Sequence, residues 1–278
     1  MRSRNLIFIV GLVVMSAFSL TFVGCSDDDP APTQISGGDD VVDTIASPQF
    51  STVKEQVEDF VEDTRGLVND GLSMALASVD ELDDIVFGPA PPDSSKQSDN
   101  WLIYFFMQAG AQIYGLDSIR FLNNGVPRGD VVGADQILFK HYWCKNVNDT
   151  TVSHATLDIH SDLDLTGIDG TTATIDGFHN VVIASKYVSN DSTVWWDFDI
   201  QATITDFTVN KSGSYWNYGC PCSGSMSVTV DASYKKDSAA VANTSWEFDL
   251  TFTNGLMEAE VTLDTDTCSY STQVCTVQ

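Results

Sequence analysis

From residue 137 onward, apolar and polar residues alternate one by one. Ala155, Leu157, Ile159, Leu163 and Leu165 alternate with His154, Thr156, Asp158, His160, Asp162 and Asp164. The same period recurs in Trp196, Phe198, Ile200, Ala202 and Ile204, in Met226 to Tyr234, and in Trp246, Phe248, Leu250 and Phe252. Such runs give each strand one apolar and one wet face, as in antiparallel sheets packed on a core. Turn-forming clusters separate them at 189–192, 210–213 and 235–238. Asn254-Gly255 is the strongest, a two-residue hairpin loop. It predicts Thr253 opposite Leu256 and Glu247 opposite Thr262. Trp101 to Gln108 and Ala111 to Leu122 read as further strands, with a helix over 100–115 as the competing reading. Pro89 to Asn100 reads as a loop, and Asn123-Asn124-Gly125 as a turn.

One segment has a different period. Val53, Val57, Phe60, Val61, Thr64, Leu67, Val68, Gly71, Leu72, Ala75 and Val79 recur at spacings of three and four. That is one stripe of an amphipathic helix. Thr52 and Glu55 predict a capping box at its start. Gly66 and Gly71 weaken it, so two shorter helices compete with one. The pattern predicts a mainly β fold: a curved antiparallel meander, sandwich or half-barrel, with one N-terminal amphipathic helix packed on it. The expected domain covers residues 50–278, helical over 50–80 and β over 100–278.

Charge narrows the function. The chain has 39 Asp+Glu against 13 Lys+Arg, a net charge of -26. Nucleic acid would repel it, and no basic patch holds it on a membrane. With 43% hydrophobic residues it has material for a sizeable core. Of the acids 32 are Asp and 7 are Glu, which suits turns and wet strand faces better than helices.

The first residues read as an export signal. Arg2 and Arg4 precede an apolar stretch from Leu6 to Val23, which ends at Phe22-Val23-Gly24-Cys25 and then Ser26-Asp27-Asp28-Asp29. This resembles the lipobox of bacterial lipoproteins, although Phe22 stands where Leu is usual. The resemblance implies that residues 1–24 are removed, that Cys25 is lipidated, and that Ser26 directs the protein to the outer membrane. Several acyl chains give stable anchoring. Residues 25–49 then form the lipidated Cys and an acidic tether reaching roughly 25–30 Å. Processing leaves 11 basic against 39 acidic residues, or -28, so the body stands off an anionic bilayer while the lipid holds it.

Five cysteines remain, and export permits disulfides. Candidates are Cys220, Cys222, Cys268 and Cys275. A two-residue turn at Ser271-Thr272 would put Cys268 opposite Cys275; the alternative pins Cys220 or Cys222 to the terminal segment. Cys220-Pro221-Cys222 also admits a redox or metal reading, but Ser223 to Tyr234 reads as strand, which favours a structural disulfide.

No nucleophile elbow, phosphate loop or paired-His motif is present, and no cofactor or metal is expected. His154, Asp158 and His160 share the wet face of one strand and read as exposed polar side chains rather than metal ligands. Asp162, Asp164 and Asp169 before Gly170 lack calcium-loop spacing. Four Asn-X-Ser/Thr sequons, at Asn148, Asn190, Asn210 and Asn243, read as turn chemistry. The expectation is a non-enzymatic, lipid-anchored envelope protein acting as a binding or structural module, partnered by the membrane or another envelope protein. The alternative is a carrier or sensor of a hydrophobic ligand held between sheet and helix, lined by Trp196, Phe198, Trp246, Phe248 and Phe252. In element order the chain is similar to LolA-type lipoprotein carriers.

Overall fold

The alternating runs become a single antiparallel sheet. The computed structural model describes residues 48–74, 94–108, 113–149, 153–188, 193–212, 215–263 and 266–276. Helix α1 spans Pro48–Met74. The strands are β1 (Ser94–Ser98), β2 (Trp101–Gln108), β3 (Ile113–Asn123), β4 (Val126–Arg128), β5 (Gln136–Asp149), β6 (Ser153–Thr166), β7 (Thr172–Val188), β8 (Thr193–Asn210), β9 (Pro221–Lys236), β10 (Ala242–Thr253), β11 (Leu256–Leu263) and β12 (Asp266–Gln273). They pair in sequence order as a meander, except that short β4 pairs only with β3, so that β5 lies beside β3. The sheet is not closed, and α1 packs on it.

The Asn254-Gly255 hairpin has the expected register, Thr253 opposite Leu256 and Glu247 opposite Thr262. The segment 101–108 is strand, not helix. Three local readings are corrected. The Pro89–Asn100 loop contains β1, a polar strand without alternation; Asp99 and Asn100, both at positive φ, turn it into β2. The helix begins at Pro48, not at the Thr52 box, because proline suits a first helical position whose N–H has no partner to lose. It also runs unbroken through Gly66 and Gly71. A Cβ on Gly71 would lie 2.9 Å from Leu165 Cδ2, so this glycine lets the helix sit close to the sheet. Ala75 and Val79 lie outside the described residues.

The predicted stripe is the buried one: Val53, Val57, Phe60, Val61, Leu67, Val68 and Leu72 are all in the core. Thr64 is also buried, its hydroxyl donating to Phe60 O at 2.8 Å. On the sheet, the inward residues of β8 change parity midway. Phe198, Ile200, Ala202 and Ile204 point in, then Phe207 and Val209. The cause is a bulge: Asp206 sits at φ 51 and donates its N–H to the Asp176 carboxylate at 2.8 Å. Gly177, opposite the bulge at φ +143, has Asp162 O where a Cβ would stand. Only glycine fits there. Of the sequons, Asn148 lies in β5 and Asn243 in β10, where Asn243 accepts from Ser233 Oγ at 2.9 Å. They are strand positions, not turns.

Candidate functional site

Register places five polar side chains in one row on the inner face. Tyr104, Asp117, His141, Ser161 and His179 are successive partners on β2, β3, β5, β6 and β7. The row continues as Ala202, Val228, Phe248, Val261 and Cys268 on β8 to β12. One half of a transverse line is thus polar and the other apolar. In an apolar interior such groups cost free energy unless they are paired.

They are paired. His141 Nδ1 lies 2.6 Å from Asp117 Oδ1. Ser161 Oγ lies 2.7 Å from His179 Nδ1, and both residues are fully buried. The helix completes the cluster. Asp63 and Asp70 are seven residues apart, two turns, and so lie on one flank of α1. Asp63 Oδ2 is 3.3 Å from His179 Nε2, close enough for attraction but not aligned as a hydrogen bond. The Phe60 ring packs on the His179 ring, centroids 4.6 Å apart.

Burial dominates the electrostatics. It pushes the Asp70 carboxyl up to about 6, against the opposing pull of His141. For His141, burial works to lower the pKa. The adjacent Asp117 carboxylate, with Asp63 and Asp70 beyond it, outweighs burial and leaves it raised.

Ser161, His179 and Asp63 are the residue types of a hydrolytic triad. Ser161 is wholly enclosed, and the element that covers it, α1, is the element that carries Asp63. Lifting the helix to admit a substrate would remove the acid from the trio. The cluster instead joins helix to sheet.

A second joint centres on Arg65. Its guanidinium pairs with Glu62 and donates to Val274 O at 2.8 Å. Its backbone carbonyl abuts Gly219, where a Cβ would stand 2.3 Å from the oxygen. Gly219 ends a 3₁₀ turn, Asn217–Gly219, just before Cys220. Cys220 and Cys275 form a disulfide with Cα atoms 5.9 Å apart. One covalent bond therefore ties together the two segments that hold Arg65.

This corrects one of the two disulfide readings. Ser271 and Thr272 belong to β12 rather than to a turn, so Cys268 does not face Cys275. Cys268 is a buried free thiol, its pKa raised by burial, and Cys222 and Cys144 are half-buried free thiols. Among the described residues no group of three or more His, Cys, Asp or Glu could hold a metal. Asp162 instead pairs with Lys140, and Asp164 accepts from Gln136 at 2.7 Å. Asp158 and His160 lie on the exposed outer face.

Phe198, Trp246, Phe248 and Phe252 are buried in the core beside half-buried Trp196, which stacks on Phe198. An open recess of about 550 Å³ lies elsewhere, around the β3–β4 turn, lined by Asn123, Asn124 and Val126 through Asp130. Residues 1–25, with Cys25, and the tether to residue 47 lie outside the described residues. No protein-family model matches the chain, and neither a curated protein nor a solved structure matches it.

Proposed function

We propose that the chain is a lipid-anchored protein of the bacterial cell envelope, held in the outer membrane through Cys25, whose domain is a non-enzymatic binding or structural module. The Cys220–Cys275 disulfide carries this reading. Such bonds persist in oxidising compartments, and this one clamps α1 rather than decorating a surface. The lipobox-like sequence supplies the anchor. The enclosure of Ser161 beneath its own acid partner supports the non-enzymatic part. Radiolabelled palmitate should label the wild-type chain and not Cys25→Ser. No label on the wild type would overturn the anchor.

A second reading rests on how the inner face is covered. α1 lies over an open sheet and is held to its inner row by polar contacts. A carrier would use that helix as a lid over Phe198, Trp246, Phe248 and Phe252. Mass spectrometry of solvent extracts from the purified chain decides between the two. A hydrophobic molecule beyond the protein's own acyl groups favours the carrier; a clean extract favours the plain module.

A further inference from the structure

Contacts along α1 fix its direction. Lys54 lies over the Tyr270 ring at 4.9 Å, and further on Arg65 reaches Val274. Asp63 meets His179, the partner of Ser161, and further on Gly71 meets Leu165. Along both β12 and β6 the helix advances toward the end of the sheet that holds the Asn254-Gly255 turn. Its first residue, Pro48, therefore points to the opposite end, where β7 leads into β8 and β9 into β10.

The outer face at that end carries a cation–aromatic–cation row. Lys186, Trp195 and Lys235 are register partners on β7, β8 and β9. The two ammonium groups lie 5.6 and 5.2 Å from the Trp195 ring centre. Val188 and Val241 are exposed at 38% and 53%, while Lys236, the register partner of Val194, belongs to the other face. The acids nearby among the described residues are Asp197, one pleat further in, and Asp237, which accepts the Thr193 N–H at 2.7 Å. In a chain with 39 acids and 13 bases, two lysines flank one tryptophan.

We propose that this corner faces the membrane, with Trp195 at the headgroup level of an anionic bilayer and Lys186 and Lys235 against its phosphates. The inference rests on the lipid-anchor reading, because the tether that leads from Cys25 enters at Pro48, on this end. Tryptophan favours the bilayer interface. Each lysine near an anionic surface shifts partitioning by about fivefold. The acidic remainder is repelled, which turns this corner inward.

The test uses the full-length lipidated chain in vesicles carrying a nitroxide high on the acyl chain. Tryptophan quenching is compared between phosphatidylglycerol-rich and pure phosphatidylcholine vesicles. The expected result is stronger quenching with phosphatidylglycerol. Trp195→Phe should lose most of that excess, and so should Lys186→Glu with Lys235→Glu, while both variants still float through their lipid. Equal quenching in Trp195→Phe and wild type, or no effect of the lysine reversals, overturns the proposal with the anchor intact. Flotation no better than that of Cys25→Ser overturns the anchor itself, and the membrane-facing corner with it.

Discussion

Asp70→Asn tests the electrostatic account of how α1 is seated. Asp70 sits on the flank of the helix facing His141 and Asp117, and burial lifts its carboxyl from 3.8 to about 6. The folded state therefore holds this proton more tightly than the unfolded chain. The associated stability is fully present below 3.8 and is lost as pH rises to about 6. At 1.36 kcal/mol per pH unit the loss is about 3 kcal/mol, an upper value because the group is partly exposed. His141 acts in the same direction: its pKa is raised, so its contribution is present below 6.5 and fades as pH rises through the folded value. Asparagine keeps the shape and abolishes the charge. Urea unfolding followed by tryptophan fluorescence should show wild type losing stability between pH 4 and 7, with a shallower loss in the variant. At pH 7 to 8 Asp70→Asn should be the more stable protein, by up to about 3 kcal/mol. Near pH 3.5 the two should converge. Parallel profiles for wild type and Asp70→Asn would refute the reasoning.

Other consequences concern the joints and the core. Cys275→Ala opens a loop spanning a sequence separation of 55, which chain entropy puts at about 4 kcal/mol; thermal melts should fall accordingly, and reductant should reproduce the effect in wild type only. Gly219→Ala meets both a positive φ and the Arg65 carbonyl, and should cost about 1–3 kcal/mol in urea unfolding. Ser161→Ala strands the buried Nδ1 of His179 and should cost about 1–3 kcal/mol in urea unfolding. Phe248→Ala, in the fully buried centre of β10, should cost about 3–5 kcal/mol, and a much smaller loss would point to slack in the interior.

Most of the architecture was legible because two periods are enough to specify it. The stripe Val53 to Leu72 needed only the helical repeat, and the inward faces of β9 and β10 needed only alternation. Segments without apolar contrast stayed hidden. Ser94–Ser98 is a strand with no period to announce it, and Pro48 extends the helix through a stretch that the Thr52–Glu55 pattern closed off. The disulfide choice was open for another reason: Cys220–Cys275 depends on where the chain returns after β12, and spacing does not carry that.

The polar row shows where such reading stops. Parity alone marks Ser161 as odd, since it interrupts the inward series Leu157, Ile159, Leu163, Leu165. It does not say that His179 stands beside it. That pairing follows from register, and the sequence fixes register only where a hairpin turn is short enough to leave one choice. Asn254-Gly255 is such a turn, and the pairs around it were correct. Between β6 and β7 the connection is the longer 167–171 segment, and Asp206 shifts the next ladder by one residue, so partners there emerge only from the folded sheet. His141 and His179 are far apart in sequence and two strands apart in space. What unites them is α1, whose Asp63 and Asp70 fall two turns apart and meet the row from above. A helix that buries an apolar stripe against a sheet has many nearly equivalent seats along its axis. Two acids over two histidines, and Arg65 held between Gly219 and Val274, leave it one.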